Sequence, residues 1–320
     1  MTAGPRERLA VLDLGSNTTR LYLCRGAGAL GPEGERISTI TALRRGAGPD
    51  GTLAEAALAR LEAALAAYGE RLREFRPGLV AAVGTSAVRD APNRAEVDRL
   101  VRRHAGVPLT VISGEREAEL AYRGARLAVD GDGPAMVIDV GGGSTELVRG
   151  TAAGPEGVVS LQVGAVRCTE ALLGGDPPLP EELAALRAAV AGLLPDALAR
   201  IGGPAPAVGV AGSATTLGAI HLGGYDPDRV HGLRLETGVV AAIAGRLAAM
   251  PLAELMELPG LEPARAPVIV AGATVVATIL EVAELPDLLV SERDILEGAA
   301  MAALDGTLVS DGTTSLEWPA

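Results

Sequence analysis

The sequence feature that most constrains the fold is a short segment that occurs twice. Residues 11–21 read VLDLGSNTTRL, and residues 137–147 read VIDVGGGSTEL. The two copies share, without a gap, an apolar–apolar–Asp–apolar–Gly frame and a closing Leu. Each copy predicts a strand that ends near its Asp, a glycine turn, and a second antiparallel strand. We infer an internal duplication, which predicts two similar α/β domains that face each other across a central cleft.

The remaining pattern places strands and helices alternately in both halves. Residues 52–75 carry apolar side chains at helical spacing, with Thr52 as the expected N-cap, and residues 115–129 predict a second long helix. The strongest turn signal is the Asp-Gly-Asp-Gly-Pro stretch at 130–134. We therefore expect one domain over 1–129, a second over 130–293, a helix at about 294–306 that packs back on the first domain, and a tail over 307–320.

Composition excludes several classes of function. All 28 basic residues are Arg, and the absence of Lys excludes P-loop NTPases and Schiff-base enzymes. Aromatic residues make up 2% of the chain and the net charge is −12, so nucleic acid is not the expected partner. The longest apolar run has 15 residues, 266–280, fewer than the ~20 that span a membrane. With two cysteines and no targeting segment, the sequence predicts a cytoplasmic protein without a membrane anchor.

The duplicated glycine turns indicate phosphate chemistry. A glycine-rich turn directs backbone N–H groups outward and forms a nest for anions. An Asp beside each turn, Asp13 and Asp139, would repel a phosphate unless a cation lies between them, which favours Mg²⁺ (or Mn²⁺). A single turn of this kind is equally well explained as a simple hairpin. Two copies in register favour the functional interpretation.

Three further segments are weaker candidates when each is taken alone. Residues 112–120 place Ser113 as a helix cap and Glu117 in the first turn, where acidic residues commonly complement the helix dipole. Residues 81–93 end a strand in Gly-Thr-Ser and add Arg89, although an arginine is usually a solvated surface charge. Residues 210–216 lead from a strand to a helix N-terminus that could hold an anion.

Taken together and in this order, the motifs resemble the exopolyphosphatase and guanosine pentaphosphate phosphatase family (Ppx/GppA). The resemblance spans about residues 9–305 and is carried by Asp13 to Asn17, Thr85 to Asp90, Ser113-Gly114 with Glu117, Asp139 to Glu146, and Gly212-Ser213. Shorter matches follow at 258–266 and 290–292. The family belongs to the superfamily of actin and the sugar kinases, so the resemblance implies two duplicated RNase H-like (actin-like ATPase) domains.

The resemblance also implies residue roles. Glu117 matches the general base that acts on the attacking water. Asp139 and Glu146 match acidic residues associated with Mg²⁺, and Asp13 is expected as an outer-shell partner. The matched phosphate-binding positions are Gly15, Ser16, Asn17, Arg20, Arg89, Gly141, Gly142, Gly143, Ser144, Gly212, Ser213 and Arg265.

The chain departs from the family pattern at two positions and in its length. Arg116 stands where many relatives have a second acidic residue, and Leu296 where many have Arg. The C-terminal helical domains of the longer exopolyphosphatases have no counterpart in this sequence, so processive work on very long chains is not expected.

The resemblance implies an Mg²⁺-dependent phosphohydrolase. Its expected substrate is inorganic polyphosphate, with short chains favoured, or guanosine pentaphosphate, which would lose its 5′ γ-phosphate, or both. Two alternatives stay open at this point: an ATP-dependent small-molecule kinase of the same superfamily, and a non-catalytic sensor of phosphorylated ligands. A homodimer is equally left open.

Overall fold

The computed structural model describes residues 8–28, 31–308 and 316–317. The strands among them are β1 Arg8–Leu14, β2 Thr18–Gly28, β3 Gly31–Ile40, β4 Leu79–Gly84, β5 Thr110–Val111, β6 Ala135–Val140, β7 Thr145–Thr151, β8 Gly154–Leu161, β9 Ala207–Val210, β10 Arg234–Glu236, β11 Asp287–Val290 and β12 Leu316–Glu317. The α-helices are α1 Glu55–Phe75, α2 Ser86–Arg89, α3 Arg94–Ala105, α4 Gly114–Ala125, α5 Ala165–Leu172, α6 Pro180–Ile201, α7 Ala211–Leu222, α8 Pro227–Val230, α9 Thr237–Ala248, α10 Leu252–Leu255, α11 Ala266–Val282 and α12 Ile295–Leu304. Short 3₁₀ turns lie at Arg126–Ala128 and Pro263–Arg265.

The chain forms two compact units, 1–120 with 295–320, and 121–294. Helix α4 continues from the first unit into the second, so the division falls inside a helix.

The sheet of the first unit runs in the order β3-β2-β1-β4, with β5 and the short β12 both paired to β4. Strands β1, β2 and β3 are antiparallel, whereas β4 is parallel to β1 and β5 is parallel to β4. Helices α1 and α3 pack together over the apolar side of this sheet, through buried Leu61, Leu65, Val97 and Val101.

The sheet of the second unit repeats this plan. Its order is β8-β7-β6-β9-β11-β10, with β6, β7 and β8 antiparallel, and β9 and β11 parallel additions. Both turns close with the same hydrogen bond: the N–H of Gly15 donates to Thr18 O, and that of Gly141 to Ser144 O, each at 3.0 Å. The repeated segment therefore folds as the same hairpin in the same place of two equivalent sheets.

The N-cap predicted for α1 is wrong. The helix begins at Glu55 with Ala54 as its cap residue, and Ala54 makes no side-chain capping bond. Thr52 instead donates its backbone N–H and its hydroxyl to the two carboxylate oxygens of Asp50, at 3.0 and 2.8 Å. A short Asp-to-Thr turn competes with the helix for the same groups, which moves the helix cap two residues along the chain.

Helix α12 is anchored in the first unit, where it packs against β1, β3 and β4. Leu296 is fully buried, so an apolar residue suits the position that departs from the family pattern. Its neighbour Glu297 is equally buried and forms an ion pair with Arg36. Burial, together with the nearby Glu297 carboxylate, raises the pKa of Tyr22 far above its ordinary value. A buried charge is tolerable here because it has a direct counter-charge.

The segment Pro263–Val282 is long and apolar enough, by length and composition, to cross a membrane. The sequence alone predicted an apolar run of 15 residues, 266–280, because it did not include the 3₁₀ turn before this run and the helix end after it. However, 72% of its most apolar window is buried inside the protein. Within the second unit α11 packs against α5, α6 and α9. Such burial is typical of the core helix of a folded domain.

Candidate active site

The second glycine turn closes onto the start of helix α5. The carbonyl of Gly141 accepts a hydrogen bond from the N–H of Ala165 at 2.8 Å, and that of Gly142 accepts one from Val166 at 2.8 Å. These donors belong to the first turn of the helix, whose N–H groups have no partner within the helix itself. The turn therefore caps α5, and α5 in return fixes the orientation of the turn.

Arg167 completes this arrangement. Its backbone N–H donates to Gly142 O at 3.0 Å, and its Nε donates to Gly143 O at 2.7 Å. The carbonyls of three consecutive residues, 141–143, are thus bonded to the start of α5. In a trans peptide the N–H points opposite to the preceding C=O. The N–H groups of Gly142, Gly143 and Ser144 consequently point away from α5, to a common side, which is the geometry of an anion nest.

Close approach of α5 to the turn depends on Gly164. A Cβ atom on this residue would lie 2.6–2.7 Å from Gly142 C, Gly143 C and Ser144 N. No side chain fits at such a distance, so only glycine lets the start of α5 pack directly against the turn.

Two carboxylates flank the second turn. Asp139 and Glu146 lie directly opposite each other on β6 and β7, and both are buried, at 7% and 1% exposure. Cβ atoms of such a pair are about 5 Å apart, and like charges in this position repel. The hydroxyl of Ser160 on β8 donates to Glu146 Oε1 at 2.7 Å and orients it. Two adjacent carboxylate oxygens beside a phosphate nest fit Mg²⁺, which takes one or two carboxylates and completes its shell with water and phosphate oxygens.

Among the described residues, no group of three or more His, Cys, Asp or Glu side chains is arranged to hold a metal ion. This fits a cation that shares its ligands with a phosphate, whereas structural zinc needs four protein ligands.

The first turn differs from the second in the charge at one of the two equivalent positions. Asp13 pairs across the strands with Arg20, which occupies the place that Glu146 has in the second copy. Arg20 binds Asp13 Oδ2 through Nε at 2.9 Å and Nη2 at 2.7 Å. The Asp of the first copy is therefore paired with the guanidinium of Arg20, whereas the Asp of the second copy lies opposite a second carboxylate.

Backbone hydrogen bonds from the segment after β3 also hold the first turn in place. Ser16 O accepts from the N–H of Arg44 at 3.1 Å, and Asn17 O accepts from Ala42 at 2.8 Å. Ala42 adopts a positive φ of 46°, which is strained for a residue with a Cβ. Because the Ser16 carbonyl points to Arg44, the N–H of Asn17 in the same peptide points away from Arg44.

Two polar atoms near the first turn are buried without a hydrogen bond in the described part of the chain. They are Asn17 Oδ1 and Ser86 Oγ, on residues 9% and 2% exposed. Ser86 follows Thr85, whose N–H and hydroxyl both bond to Leu14 O, at the end of β1. A buried polar atom without a partner is rare in proteins and indicates a ligand or solvent partner.

Glu117 and Arg89 are in direct contact. Arg89 donates through Nη1 to Glu117 Oε2 at 3.0 Å and to Ile112 O at 2.9 Å. The Glu117 side chain is 12% exposed and that of Arg89 is 21% exposed. A neighbouring guanidinium favours the ionised carboxylate, which is the form that accepts a proton. Strand β5 leads directly into α4, and Ser113 Oγ caps that helix by accepting from Arg116 N at 3.1 Å, as the sequence predicted.

The neighbouring acidic residues of α4 are placed differently from Glu117. Glu115 is exposed, and Glu119 pairs with Arg116 at 2.8 Å on a partly exposed face. Arg116 also donates to Thr307 O at 2.9 Å, beyond the end of α12. The departure from the family pattern at this position therefore ties α4 to the chain that follows α12.

The second phosphate-binding candidate of the second unit lies at the start of α7. Parallel pairing places the ends of β9 and β6 at the same edge, and Ser213 Oγ donates to Val140 O at 3.0 Å. The guanidinium of Arg265 lies directly against Gly212, where a Cβ would collide with it. Ala211 has a positive φ of 59°, a strained conformation of the kind found at functional sites. The hydroxyl of Ser213 is thus directed at the strand, and its backbone N–H is what the helix start offers to an anion.

The predicted site residues fall into two sets, one in each unit. In the first unit most of them lie near the carboxyl ends of β1, β4 and β5, and in the second near those of β6 and β9, where ligands bind in open α/β sheets. Arg20 and Glu146 lie at the starts of the return strands β2 and β7, and Arg265 lies in the 3₁₀ turn before α11. The first set comprises Asp13, Gly15, Ser16, Asn17, Arg20, Arg89 and Glu117; the second comprises Asp139, Gly141 to Ser144, Glu146, Gly212, Ser213 and Arg265.

Sequence reasoning missed Arg167 and Ser160 as contributors. It singled out the Gly-Thr-Ser stretch that contains Ser86, but it did not name Ser86 among the site residues. Ser160 and Arg167 come from β8 and α5, and no spacing in the sequence places them at the turn.

Comparison with known proteins gives a consistent result. The profile of the Ppx/GppA phosphatase family matches residues 35–306. Exopolyphosphatase 2 of Mycobacterium tuberculosis is 36% identical over 317 residues, covering 92% of this chain and 98% of the relative. The crystal structure of the Aquifex aeolicus Ppx/GppA family member has a TM-score of 0.79 at 30% identity, covering 95% of this chain and 99% of that chain.

A second solved structure is similar as well. An exopolyphosphatase from Cytophaga hutchinsonii has a TM-score of 0.86 at 25% identity, covering 96% of this chain and 100% of that chain. These similarities confirm the predicted α/β fold of two actin-like, RNase H-like domains.

Proposed function

Because the chain is a member of the Ppx/GppA phosphatase family, we propose that it is an exopolyphosphatase that releases the terminal phosphate of inorganic polyphosphate. The reaction adds one water across the last phosphoanhydride bond. A P–O bond forms to the water oxygen, the bridging P–O bond breaks, and the products are orthophosphate and a chain shorter by one unit.

The observation that carries the proposal is the second turn with its flanking carboxylates. Three backbone N–H groups point to one side, and two buried acidic side chains lie beside them. Amides alone would suit any anion. The added carboxylates suit an anion that arrives with a divalent cation, as a polyphosphate end does.

Mg²⁺, or Mn²⁺, would be held by Asp139 and Glu146 of the second unit. When bound, such an ion neutralises phosphate charge and orients the terminal group. In the second unit, the backbone amides of the second turn and Arg265 would complete the neutralisation of phosphate charge. In the first unit, we propose that the amides of the first turn bind phosphate together with Arg20 and Arg89.

Glu117 is proposed to orient the attacking water and accept its proton. Hydrolysis of this type needs little covalent help from the protein beyond positioning and charge stabilisation. The contact with Arg89 holds the carboxylate in one orientation, ready to accept a hydrogen bond from water. Both sets of residues are required for turnover in this proposal.

Guanosine pentaphosphate is the second proposed substrate, because its 5′ end carries the same triphosphate chemistry. The kinase and sensor alternatives are not favoured, since two of the similar proteins are named exopolyphosphatases and a water-activating Glu117 serves neither alternative. We also propose that the protein works in the cytoplasm.

The test is phosphate release by the purified chain with Mg²⁺ and no acceptor. Arms with triphosphate, polyphosphate of hundreds of units and guanosine pentaphosphate rank the substrates. We expect release from polyphosphate that stops when EDTA removes the metal. Absence of release from every substrate, with ligand binding retained, would contradict the proposal and support a sensor.

A further inference from the structure

We propose that Arg167 is a positioning residue of the second phosphate loop, an inference that rests on the proposed function. It is the residue that sets the direction of the Ser144 N–H, the third amide of the nest. The hydrogen bonds around the loop and the rigidity of the peptide bond lead to this role.

Each of the three nest amides has its direction fixed by the carbonyl that precedes it. The carbonyls of Gly141 and Gly142 are bonded to backbone N–H groups of α5, which any sequence there would supply except proline. The carbonyl of Gly143 is bonded to a side chain, Arg167 Nε, at 2.7 Å. The hydrogen bond that orients the Gly143–Ser144 peptide therefore depends on the identity of one residue, Arg167.

Arginine suits this task for a geometric reason. Its Nη2 donates to Gln162 Oε1 at 3.0 Å while Nε holds the loop, so two contacts fix the guanidinium plane. Glycine at position 143 has no side chain to restrain its own peptide, so a restraint from outside is needed. Lysine carries the same charge, but all its donors lie on one nitrogen, so it lacks the fixed planar spacing between the Nε and Nη2 donors.

The experiment separates positioning from charge by comparing Arg167→Lys with Arg167→Gln. We expect kcat on triphosphate to fall about 10- to 100-fold in both variants, because a small misplacement of a stabilising donor is costly in the transition state. We expect KM to change less than about threefold in the Lys variant and to rise more in the Gln variant, which also loses the charge. A Lys variant with wild-type kcat would show that only charge matters and would overturn the proposal.

Arg187→Gln is the matched control. Arg187 lies on α6 in the same unit, is 41% exposed, and pairs with Glu281 at 3.4 Å. It should leave kcat and KM unchanged, since exposed ion pairs contribute little. A loss in the control equal to that at Arg167 would point to general destabilisation and contradict the assignment.

A binding measurement keeps this inference distinct from the proposed function. In chain labelled with ¹⁵N-serine, we expect the Ser144 amide resonance to shift when an imido-bridged, non-hydrolysable triphosphate is added with Mg²⁺, and to shift less in Arg167→Lys. If wild type shows this response but hydrolyses no polyphosphate, the function fails and the positioning role stands. An identical response in the two proteins, or none in wild type, overturns the inference.

Discussion

Replacing Glu117 with Gln tests the proposed base most directly. Gln keeps the length of the side chain and an oxygen that can accept the hydrogen bond from Arg89 Nη1, now 3.0 Å long. It lacks only the capacity to take a proton from water. Removing a general base typically costs about 10²–10⁴ in rate, or about 2.7–5.4 kcal/mol in activation free energy. We therefore expect kcat to fall by that factor while triphosphate binding persists.

The effect on folding should be small by comparison. A hydrogen bond between Arg89 and a neutral amide is weaker than one with a carboxylate by about 1 kcal/mol. Glu119→Gln provides the matched control: it lies on the same helix, receives the same substitution, and breaks an ion pair with Arg116 at 2.8 Å. Because that pair is 26% and 38% exposed, its loss should cost at most about 1 kcal/mol.

The assay is steady-state phosphate release, with urea unfolding of each variant and binding of an imido-bridged triphosphate. Similar stability of the Glu117 and Glu119 variants, with only the former inactive, assigns the proton transfer to Glu117. Wild-type turnover in Glu117→Gln, or an equal loss in Glu119→Gln, would refute the assignment.

Three further outcomes follow from the structure. Asp139→Asn and Glu146→Gln should each abolish turnover and remove the Mg²⁺-dependent rise in unfolding free energy, about 2.7 kcal/mol at a metal concentration 100 times Kd; a persisting rise in urea titrations would place the metal elsewhere. Gly164→Ala should lower activity and stability, because its Cβ would meet the turn at 2.6 Å. The control Gly192→Ala, in open space on α6, should keep activity and add about 1 kcal/mol of stability. If the Gly192 variant unfolded at a lower urea concentration than the Gly164 variant, the proposed packing would be excluded. Burial raises the pKa of the Cys24 thiol from 9.0 to about 12, so iodoacetamide at pH 8 should spare Cys24 until the chain is unfolded. Rapid alkylation of Cys24 in the native chain, detected by mass spectrometry, would contradict this protection. Because the unfolded chain loses the thiol proton at a lower pH than the folded chain, the thiol's contribution to stability is complete below about pH 9 and is lost as the pH rises toward 12.

The duplicated segment is readable in the sequence because its constraints are local. A strand, a glycine turn and a return strand need only neighbouring residues, so the hairpins at Gly15 and Gly141 appear where the pattern predicted them. The helix cap at Ser113 is local in the same sense. Thr52 shows the limit, because two local motifs competed for the same backbone groups and the pattern could not rank them.

Alignment of the two copies pairs Arg20 with Glu146 from the sequence alone, yet the meaning of that difference depends on the strand register. Only the register places Arg20 opposite Asp13 and Glu146 opposite Asp139, on neighbouring strands. The same charge exchange would carry no consequence if these side chains faced solvent far from each other.

The order of amino acids is sufficient to establish that the chain contains two similar α/β halves, that each presents a glycine turn after an Asp, and that lysine chemistry has no part in its function. The orientation of those turns, in contrast, depends on contacts that only the folded chain makes. Arg167 reaches the turn from a helix that begins beyond β8, and Arg89 meets Glu117 from a different element 28 residues away. A hydrogen bond depends on distance and direction in space, and neither is encoded in sequence spacing once a strand or a helix intervenes.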